Sequence, residues 1–314
     1  MLLARRIMSS APHDSSPLDV SGLAPSKFFT LALVLIFIWG SAYTMVGVGV
    51  DYITPIWLVT YRLILGSILV TGYVFYKGHT LPKLSDVRWR WYLILGMIGS
   101  VIPFFLLSTG QLKVDSGITS IIVGVMPLMT IVLAHFFANE PLNAQKLLGF
   151  IIGFLGIVVL FLPDNMSLAL ISDWKSQLLI VIAAFCYALT TIIAKRAPET
   201  PSSVAAAMML ICATPVAIIA GVAEGIPTQA PPMIGIWMAI GLGVGSTAIA
   251  TILYLYIIQE TGPSAIAKIN YFTPLASVIF GIGLLGEEFS WRMVISFVTI
   301  VVGVMISRID IRKT

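Results

Sequence analysis

Ten long apolar runs, separated by short polar or charged segments, constrain what this chain can fold into. A helix rises about 1.5 Å per residue, so roughly 20 apolar residues cross the hydrocarbon core of a bilayer. Only 10% of the residues are charged and 58% are hydrophobic, whereas soluble chains carry about 25% charged residues. The bilayer must therefore be the solvent, and the sequence predicts an all-α polytopic membrane protein with ten transmembrane helices. The predicted spans are Phe28–Val50, Pro55–Tyr76, Trp91–Leu112, Ser116–Ala138, Leu147–Leu162, Gln177–Ala194, Ser203–Ala223, Met233–Ile258, Ser264–Leu285 and Trp291–Ser307.

The lysines and arginines lie unequally at the two ends of these runs. With the N-terminus in the cytosol, 14 of the 18 basic residues fall in cytosolic segments, three fall outside and Arg62 lies within a span. Cytosolic loops of membrane proteins carry this excess. We therefore expect insertion in the cell (inner or plasma) membrane with both termini in the cytosol, as a disordered tail over residues 1–27 and a short tail over 309–314. Because the basic residues flank apolar runs, the net charge of +4 does not indicate a nucleic-acid partner.

A pattern of proline, acid and glycine recurs after 147 residues without a gap. Chance alignment of apolar helices would match leucine, isoleucine and valine instead of these residue types. The chain is therefore interpreted as a duplicated unit. The matching pairs are Pro127 and Pro274, Glu140 and Glu287, Phe150 and Phe297, and Gly156 and Gly303.

The duplication divides the chain into two five-helix repeats, residues 28–162 and 177–308, joined by a linker over 163–176. Because five is an odd number, the second copy is inverted in the membrane relative to the first. Glu140 is then expected at the inner face and Glu287 at the outer face. Inverted repeats of this kind are typical of secondary transporters, whose inner and outer gates open alternately.

The two five-helix halves, the residues Trp39, Gly40 and Ser41 in the first span, Arg62 in the second, and the repeated pattern above together resemble the drug/metabolite transporter superfamily. More narrowly, they resemble EamA-type transporters with two EamA repeats. The resemblance implies a cavity lined mainly by helices 1, 3, 4, 6, 8 and 9, which makes Trp39 and Tyr43 candidate substrate-binding residues. It implies substrates such as amino acids, their derivatives, nucleosides and drugs. The first span lacks the acidic residue that couples small multidrug exporters of this superfamily to protons.

Polar and aromatic residues share one face in each of two matching spans. Helical spacing of four, three and four residues places them in line, and polar side chains within spans usually face a bundle interior or a wet cavity. They could line a cavity for a small amphipathic solute, or they could join helices by hydrogen bonds. The two sets are Thr247, Thr251, Tyr254 and Ile258 in the eighth span and Ser100, Phe104, Leu107 and Gln111 in the third.

Pro127 and Pro274 lie within the fourth and ninth spans. A proline inside a helix removes one backbone hydrogen bond and frees a carbonyl. We expect both to act as hinges, the alternative being static kinks compensated by neighbouring helices. Asn270 and Tyr271, which precede Pro274, are further candidate substrate-binding residues.

Arg62 is the one clearly intramembrane cation of the sequence. It could bind a substrate carboxylate through paired hydrogen bonds, or it could snorkel outward or neutralise helix ends. We expect the structural role. A stripe formed by Gly149, Gly153 and Gly156 permits close helix approach, within the protomer or in a homodimer.

The function that these patterns favour is secondary transport, in particular export of a small polar or amphipathic metabolite by alternating access. A passive channel is the alternative. An intramembrane enzyme has no support, because HExxH and GxSxG motifs are missing from the sequence and its histidines are scattered. No catalytic residue, metal or cofactor is therefore expected, and the missing Walker motif argues against ATP as the direct energy source. The expected partners are a small-molecule substrate and the lipid bilayer, for a monomer or a homodimer.

Overall fold

The computed structural model describes residues 23–138, 143–161, 174–194, 196–261 and 263–308. Within these ranges the chain forms thirteen α-helices and three π-helical segments, and no strand. The first seven helices are α1 (Pro25–Val50), α2 (Pro55–Tyr76), α3 (Arg88–Gly96), α4 (Ile102–Gly110), α5 (Ser116–Val123), α6 (Met126–Ala138) and α7 (Ala144–Phe161). The others are α8 (Trp174–Ala194), α9 (Ser202–Glu224), α10 (Met233–Gly241), α11 (Ala250–Thr261), α12 (Pro263–Phe280) and α13 (Trp291–Arg308).

Seven helical stretches in the described ranges are long and apolar enough to cross a membrane, and three shorter apolar helices accompany them. The chain is therefore an all-helical polytopic membrane protein. The seven are Pro25–Val50, Pro55–Tyr76, Arg88–Gly110, Ser116–Phe137, Trp174–Ala194, Ser202–Glu224 and Met233–Ile258, and the three are Ala144–Val159, Phe272–Leu285 and Trp291–Ser307.

Two helices begin inside segments that the sequence assigned to a tail or a linker. α1 begins at Pro25, inside the segment expected to be a disordered tail. Proline is well suited to this first helical position, because its fixed φ suits a helix and its missing N–H would have no intrahelical partner there. α8 begins at Trp174, inside the expected linker. The remainder of both tails and of the linker, and Glu140, lie outside the described residues.

The outer surface of the bundle carries many large apolar side chains. A soluble monomer rarely exposes so much contiguous apolar surface, whereas lipid tails solvate it well. This exterior belongs to a protein embedded in a bilayer. Examples that are more than half exposed are Phe29, Phe37, Ile68, Phe75, Phe136, Leu148, Phe154, Trp237, Ile279 and Ile295.

The glycine stripe of α7 packs within the protomer against α13. A methyl group added at Gly149 would collide with the backbone of Gly303, and one added at Gly156 would approach the carbonyl oxygen of Ser296. As the position on α7 advances by seven residues, its contact on α13 moves back by seven. The two helices therefore run antiparallel, at a separation that only small residues allow.

α2 and α9 also run antiparallel. The Thr60 hydroxyl donates to the Ala217 carbonyl at 3.0 Å, and the Thr214 hydroxyl donates to the Leu63 carbonyl at 3.2 Å. These bonds satisfy hydroxyl groups that would be costly inside a membrane. They fix the relative position of two helices at the centre of the bundle.

Two of the π-helical segments, Met97–Val101 and Leu242–Ile249, interrupt the third and eighth predicted spans. Adding 147 to the first segment gives residues 244–248, so the irregularity occurs at equivalent places in the two copies. A π-helical turn holds an extra residue, changes which side chains face inward and is frequent at functional sites. The glycine-rich sequence Gly241–Gly245 belongs to this second segment and its approach, not to a nucleotide-binding loop.

Candidate functional site

A cavity of about 190 Å³ lies at the centre of the bundle. Its wall includes side chains from the helices that form the first, third, fourth, sixth, eighth and ninth predicted spans, and also from α2 and α9. The site residues predicted from sequence that contribute to this wall are Trp39, Tyr43, Ser100, Phe104, Gln111, Thr251, Tyr254 and Asn270. The structure therefore brings together residues as far apart in sequence as Trp39 and Asn270, while their role in binding a substrate stays a prediction.

Three members of the predicted faces and candidate sites lie elsewhere. Thr247 is fully buried behind the wall and contacts Arg62. Ile258 packs against the apolar cluster between α1 and α12. The side chain of Tyr271 lies outside the described residues, although its backbone belongs to α12.

Arg62 extends from α2 to the cavity and is only 5% exposed. Its Nε–H donates to the Thr247 hydroxyl and its Nη2 group donates to the Ser246 hydroxyl, each at 3.0 Å. The guanidinium carbon lies 3.7 Å from the centre of the Phe104 ring. At this distance the cation interacts with the negative face of the ring. Among the described residues, its contacts are two neutral hydroxyls and an aromatic ring, and neither a carboxylate nor a helix end is among them.

Aromatic side chains form much of the remaining wall. The rings of Trp39 and Tyr254 lie 6.0 Å apart at a tilted angle, which is a favourable spacing for an aromatic pair. Tyr43, Tyr92 and Tyr187 also contribute. An apolar or aromatic portion of a solute would be well solvated by these rings.

Two side-chain amides supply polar groups. The Gln111 Nε2 group donates to the Tyr43 carbonyl at 3.0 Å, and its Oε1 is buried without a hydrogen-bond partner in the described part of the chain. The Asn270 Nδ2 group has a weak contact with the Met126 sulfur at 3.8 Å. A buried acceptor without a partner costs free energy, and this oxygen presents almost no accessible surface to the cavity.

The helix break in the fourth span lies at the cavity, at Gly124 and Val125 between α5 and α6. A methyl group at Gly124 would lie 2.9 Å from the Ile121 carbonyl oxygen and 3.5 Å from the Pro274 ring. Pro127 is in the first turn of α6, where a proline removes no intrahelical hydrogen bond. Pro274 lies inside α12 and lines the cavity. The two predicted hinge prolines are therefore not structurally equivalent.

Glu287 lies at one end of the bundle, beyond the third π-helical segment, Gly281–Leu285. Its carboxylate accepts hydrogen bonds from the backbone N–H groups of Ser116 and Gly117, at 2.8 and 3.1 Å. These groups begin α5, where helix N–H donors have no intrahelical partner. Gly286 adopts φ 67°, a left-handed conformation that glycine tolerates, just before Glu287.

Several residues of the cavity wall were not predicted, among them Tyr187, Met209 and Ser246. The repeat offset could have found one of them, because Met209 occupies the position in the second copy that Arg62 occupies in the first. Their contacts also match. Arg62 reaches Ser246, and Met209 approaches Gly99, which is the repeat partner of Ser246.

Acidic residues are missing from the described wall of the cavity. Over the described ranges, the chain also holds no group of three or more histidine, cysteine or acidic side chains arranged to bind a metal ion. The charge of Arg62 is thus the one fixed charge of the described cavity lining. The site can hold a small solute by electrostatic attraction, hydrogen bonds and aromatic contact.

A lipid-embedded helical bundle around a central cavity of mixed polar and aromatic lining is the architecture of a membrane transporter. Residues 27–162 and 174–309 each match the EamA-like transporter family. The chain therefore belongs to this family, which places it among the drug/metabolite transporters. This match confirms the resemblance to EamA-type transporters that the sequence indicated.

Two of three curated relatives are named as transporters. An uncharacterized inner membrane transporter of Escherichia coli K12, YedA, is 27% identical over 271 residues, covering 83% of this chain and 84% of the relative. An uncharacterized transporter of Bacillus subtilis, YoaV, is 21% identical over 86% of this chain and 92% of the relative. A WAT1-related chloroplast protein of Arabidopsis thaliana is 22% identical over 83% of this chain and 64% of the relative. A solved crystal structure shares the fold with a TM-score of 0.66 at 16% identity, covering 92% of this chain and 99% of the other.

Proposed function

We propose that the protein is a secondary transporter that exports small polar or amphipathic solutes by alternating access, through ten transmembrane helices arranged as two inverted five-helix repeats. The observation that carries the proposal is the central cavity, whose wall combines polar and aromatic residues from both copies. A site between two halves of a duplicated membrane protein is where a transporter binds its solute. Amino acids, their derivatives and drug-like solutes are the candidate substrates.

Reciprocal contacts between α7 and α13 support the inverted arrangement. The contact between Gly149 and Gly303 has its repeat image in the contact between Gly156 and Ser296. Two antiparallel helices whose contacts exchange in this way are related by a twofold axis perpendicular to both. If both helices cross the membrane, that axis lies in the membrane plane.

Contacts around the π-helical segments support the same symmetry. A methyl group at Gly66 would approach the Gly243 carbonyl, and one at Gly96 would approach the Ala213 nitrogen. Under the offset of 147 residues, the first contact becomes the second. The repeat relation therefore extends from the bundle edge to the helices beside the cavity.

The bond from Glu287 to the start of α5 suggests how one end of the pathway closes. It joins the segment before the last helix of the second copy to the first copy. In this proposal, the tie forms and breaks as the mouth at this end of the pathway closes and opens.

The proposed orientation has both termini in the cytosol, because that arrangement places most basic residues inside. An inner or plasma membrane location agrees with the name of the Escherichia coli relative. Since the described cavity wall lacks acidic side chains, proton coupling through a buried carboxylate has no support. We propose export by exchange or down a concentration gradient.

A counterflow assay tests the transport function. The purified full-length chain is reconstituted in liposomes and tested with radiolabelled amino acids, nucleosides and organic cations. We expect saturable flux of at least one solute that unlabelled solute on the opposite side accelerates. Flux that neither saturates nor responds to solute on the opposite side would identify a passive channel, and protein-free liposomes give the background.

A further inference from the structure

We propose that Arg62 is the anion-binding group of the cavity, and that the solute is a small organic carboxylate, with one anionic group joined to a compact apolar or aromatic body. This inference rests on the proposed transport function, whose substrate class it narrows. It assigns a binding role to a residue that the sequence alone suggested was structural.

The guanidinium of Arg62 has hydrogen-bond donors to spare. A guanidinium carries five N–H donors and no acceptor, and the structure shows two contacts, to Thr247 and Ser246. The remaining donors find no acceptor among the described side chains. Their number and fork geometry suit the two oxygens of a carboxylate.

The packing around Arg62 holds this fork in place. The Phe104 ring lies 3.7 Å from the guanidinium carbon, and the Thr247 hydroxyl fixes Nε. A side chain held on one face and along one edge loses little further freedom when it binds a ligand. The arrangement is that of a preorganised binding group.

The charge of Arg62 is uncompensated in the described structure. The acidic residues in the described ranges lie at or beyond helix ends, and none contributes to the described cavity wall. A lone charge within a membrane bundle is costly, and intramembrane cations usually pair with an anion or serve a substrate pathway. A bound carboxylate would supply the missing anion, whereas a cationic solute would meet repulsion.

The second copy of the repeat does not provide a second cation. The position equivalent to Arg62 is Met209, which also lines the cavity and lies against Gly99. One cationic end and one apolar end match a solute with a single anionic group. The volume of about 190 Å³ falls below the roughly 300–1,000 Å³ of sites for drug-sized ligands, which favours a compact molecule.

The carboxylate could belong to a simple organic acid or to an amino acid. An amino acid would also carry an ammonium group, which needs an acceptor. Both sources share the carboxylate, and the choice of probes separates them.

The test uses one aromatic body with four end groups: 3-phenylpropanoate, its neutral amide, 3-phenylpropylammonium and L-phenylalanine. Affinities are measured by calorimetry on the purified full-length chain in detergent. Because hydrogen bonds to charged groups contribute about 1.5–3 kcal/mol, we expect the acid to bind about 10- to 100-fold more tightly than the amide, and the ammonium compound weakest. Tighter binding of L-phenylalanine than of the simple acid would identify a zwitterion. Equal affinity for 3-phenylpropanoate and its amide would overturn the proposal. So would the absence of binding by both carboxylate-bearing probes, 3-phenylpropanoate and L-phenylalanine.

Variants locate the recognition at Arg62. Arg62→Gln should remove the preference for acid over amide while leaving amide affinity within about threefold, and Arg62→Lys should restore part of the preference. Lys113→Gln, which removes a positive charge from an exposed position beyond α4, should keep the full preference. If Arg62→Gln does not fold, the ligand series on the unaltered chain still decides the substrate class. Counterflow of a non-carboxylate solute alone would support transport while refuting the carboxylate preference.

Discussion

The Glu287 carboxylate accepts a hydrogen bond from the backbone N–H of Ser116 at 2.8 Å, although 171 positions separate the two residues. Its other oxygen accepts from Gly117 at 3.1 Å. The pair ties the segment before the last helix of one repeat to the first turn of a helix in the other. An anion at this place also interacts favourably with the positive end of the helix.

Loss of this carboxylate should destabilise the fold. We expect Glu287→Ala to lower the free energy of unfolding by about 1–3 kcal/mol, because two backbone donors lose a charged acceptor. Glu287→Gln should cost less, since its amide oxygen keeps one acceptor. Glu288→Gln, an exposed neighbour, is the matched control. Thermal unfolding in detergent measures the effect, and equal stability of the Glu287 and Glu288 variants would contradict it.

The acid next to this tie should give the stability a pH dependence. Burial, and then the negative charges of Glu287 and Glu288, raise the pKa of Asp115. Because the folded chain holds this proton more tightly than the unfolded chain, stability falls as pH rises from about 3.8 through the raised pKa. Asp115→Asn should remove this fall, so its gain in Tm over the original chain should increase across that window.

Asp86 is the control with the opposite sign. Hydrogen bonds from Arg88 lower the pKa of Asp86 to about 2. Its contribution is therefore present above 3.8 and is lost as pH falls through about 2. Asp86→Asn should lower Tm at neutral pH, whereas Asp115→Asn should raise it. Shifts of the same sign would refute this assignment.

Topology can be tested by labelling single cysteines with a membrane-impermeant maleimide added outside. We expect reaction at Glu287→Cys and at the exposed position Lys113→Cys, and none at Glu140→Cys or the exposed position Lys77→Cys. Cys186 and Cys212, both free, are first replaced by serine. Labelling of both glutamate positions from outside would disprove the inverted arrangement.

The two prolines should differ in their effect on gating. Pro127 stands in the first turn of α6 and deletes no helical bond, whereas Pro274 lies inside α12 beside the cavity. Pro274→Ala should therefore shift the balance between inward-open and outward-open states, with about 1.4 kcal/mol changing their ratio tenfold. Pro127→Ala should shift it much less. Spin-label distances across the two mouths report the populations of the two states. Equal shifts in the two variants would contradict the expected difference between a first-turn proline and a proline inside a helix.

Close packing of α7 and α13 should not tolerate a methyl group. A side chain at Gly149 would collide with the Gly303 backbone, and overpacking typically costs about 1–3 kcal/mol. Gly149→Ala should therefore lower thermal stability. Gly72→Ala is the matched control, because Gly72 lies within α2 with open space around it. That change should be neutral or raise helix stability by up to about 1 kcal/mol.

The sequence predicted the helical class and much of the cavity lining because apolar runs and helical spacing act over short distances. Tyr254 and Gln111, which this spacing placed on shared helix faces, both line the cavity, and their role in binding a substrate stays a prediction. The π-helical segments could not be predicted, since they depend on packing at glycines such as Gly96 and Gly243. The contacts of Arg62 could not be predicted either. Ser246 and Thr247 lie far away along the chain, and no local pattern indicates that they meet α2.

Arg62 and Met209 occupy equivalent positions in the two copies, but only Arg62 carries a charge. A homodimer of the first half would place two guanidinium groups at the cavity, and a homodimer of the second half would place none. Neither would present one charged and one apolar end to a solute. In the proposed twofold arrangement, a single fused chain lets substitutions accumulate separately in each half, so that the two ends of a solute meet different side chains.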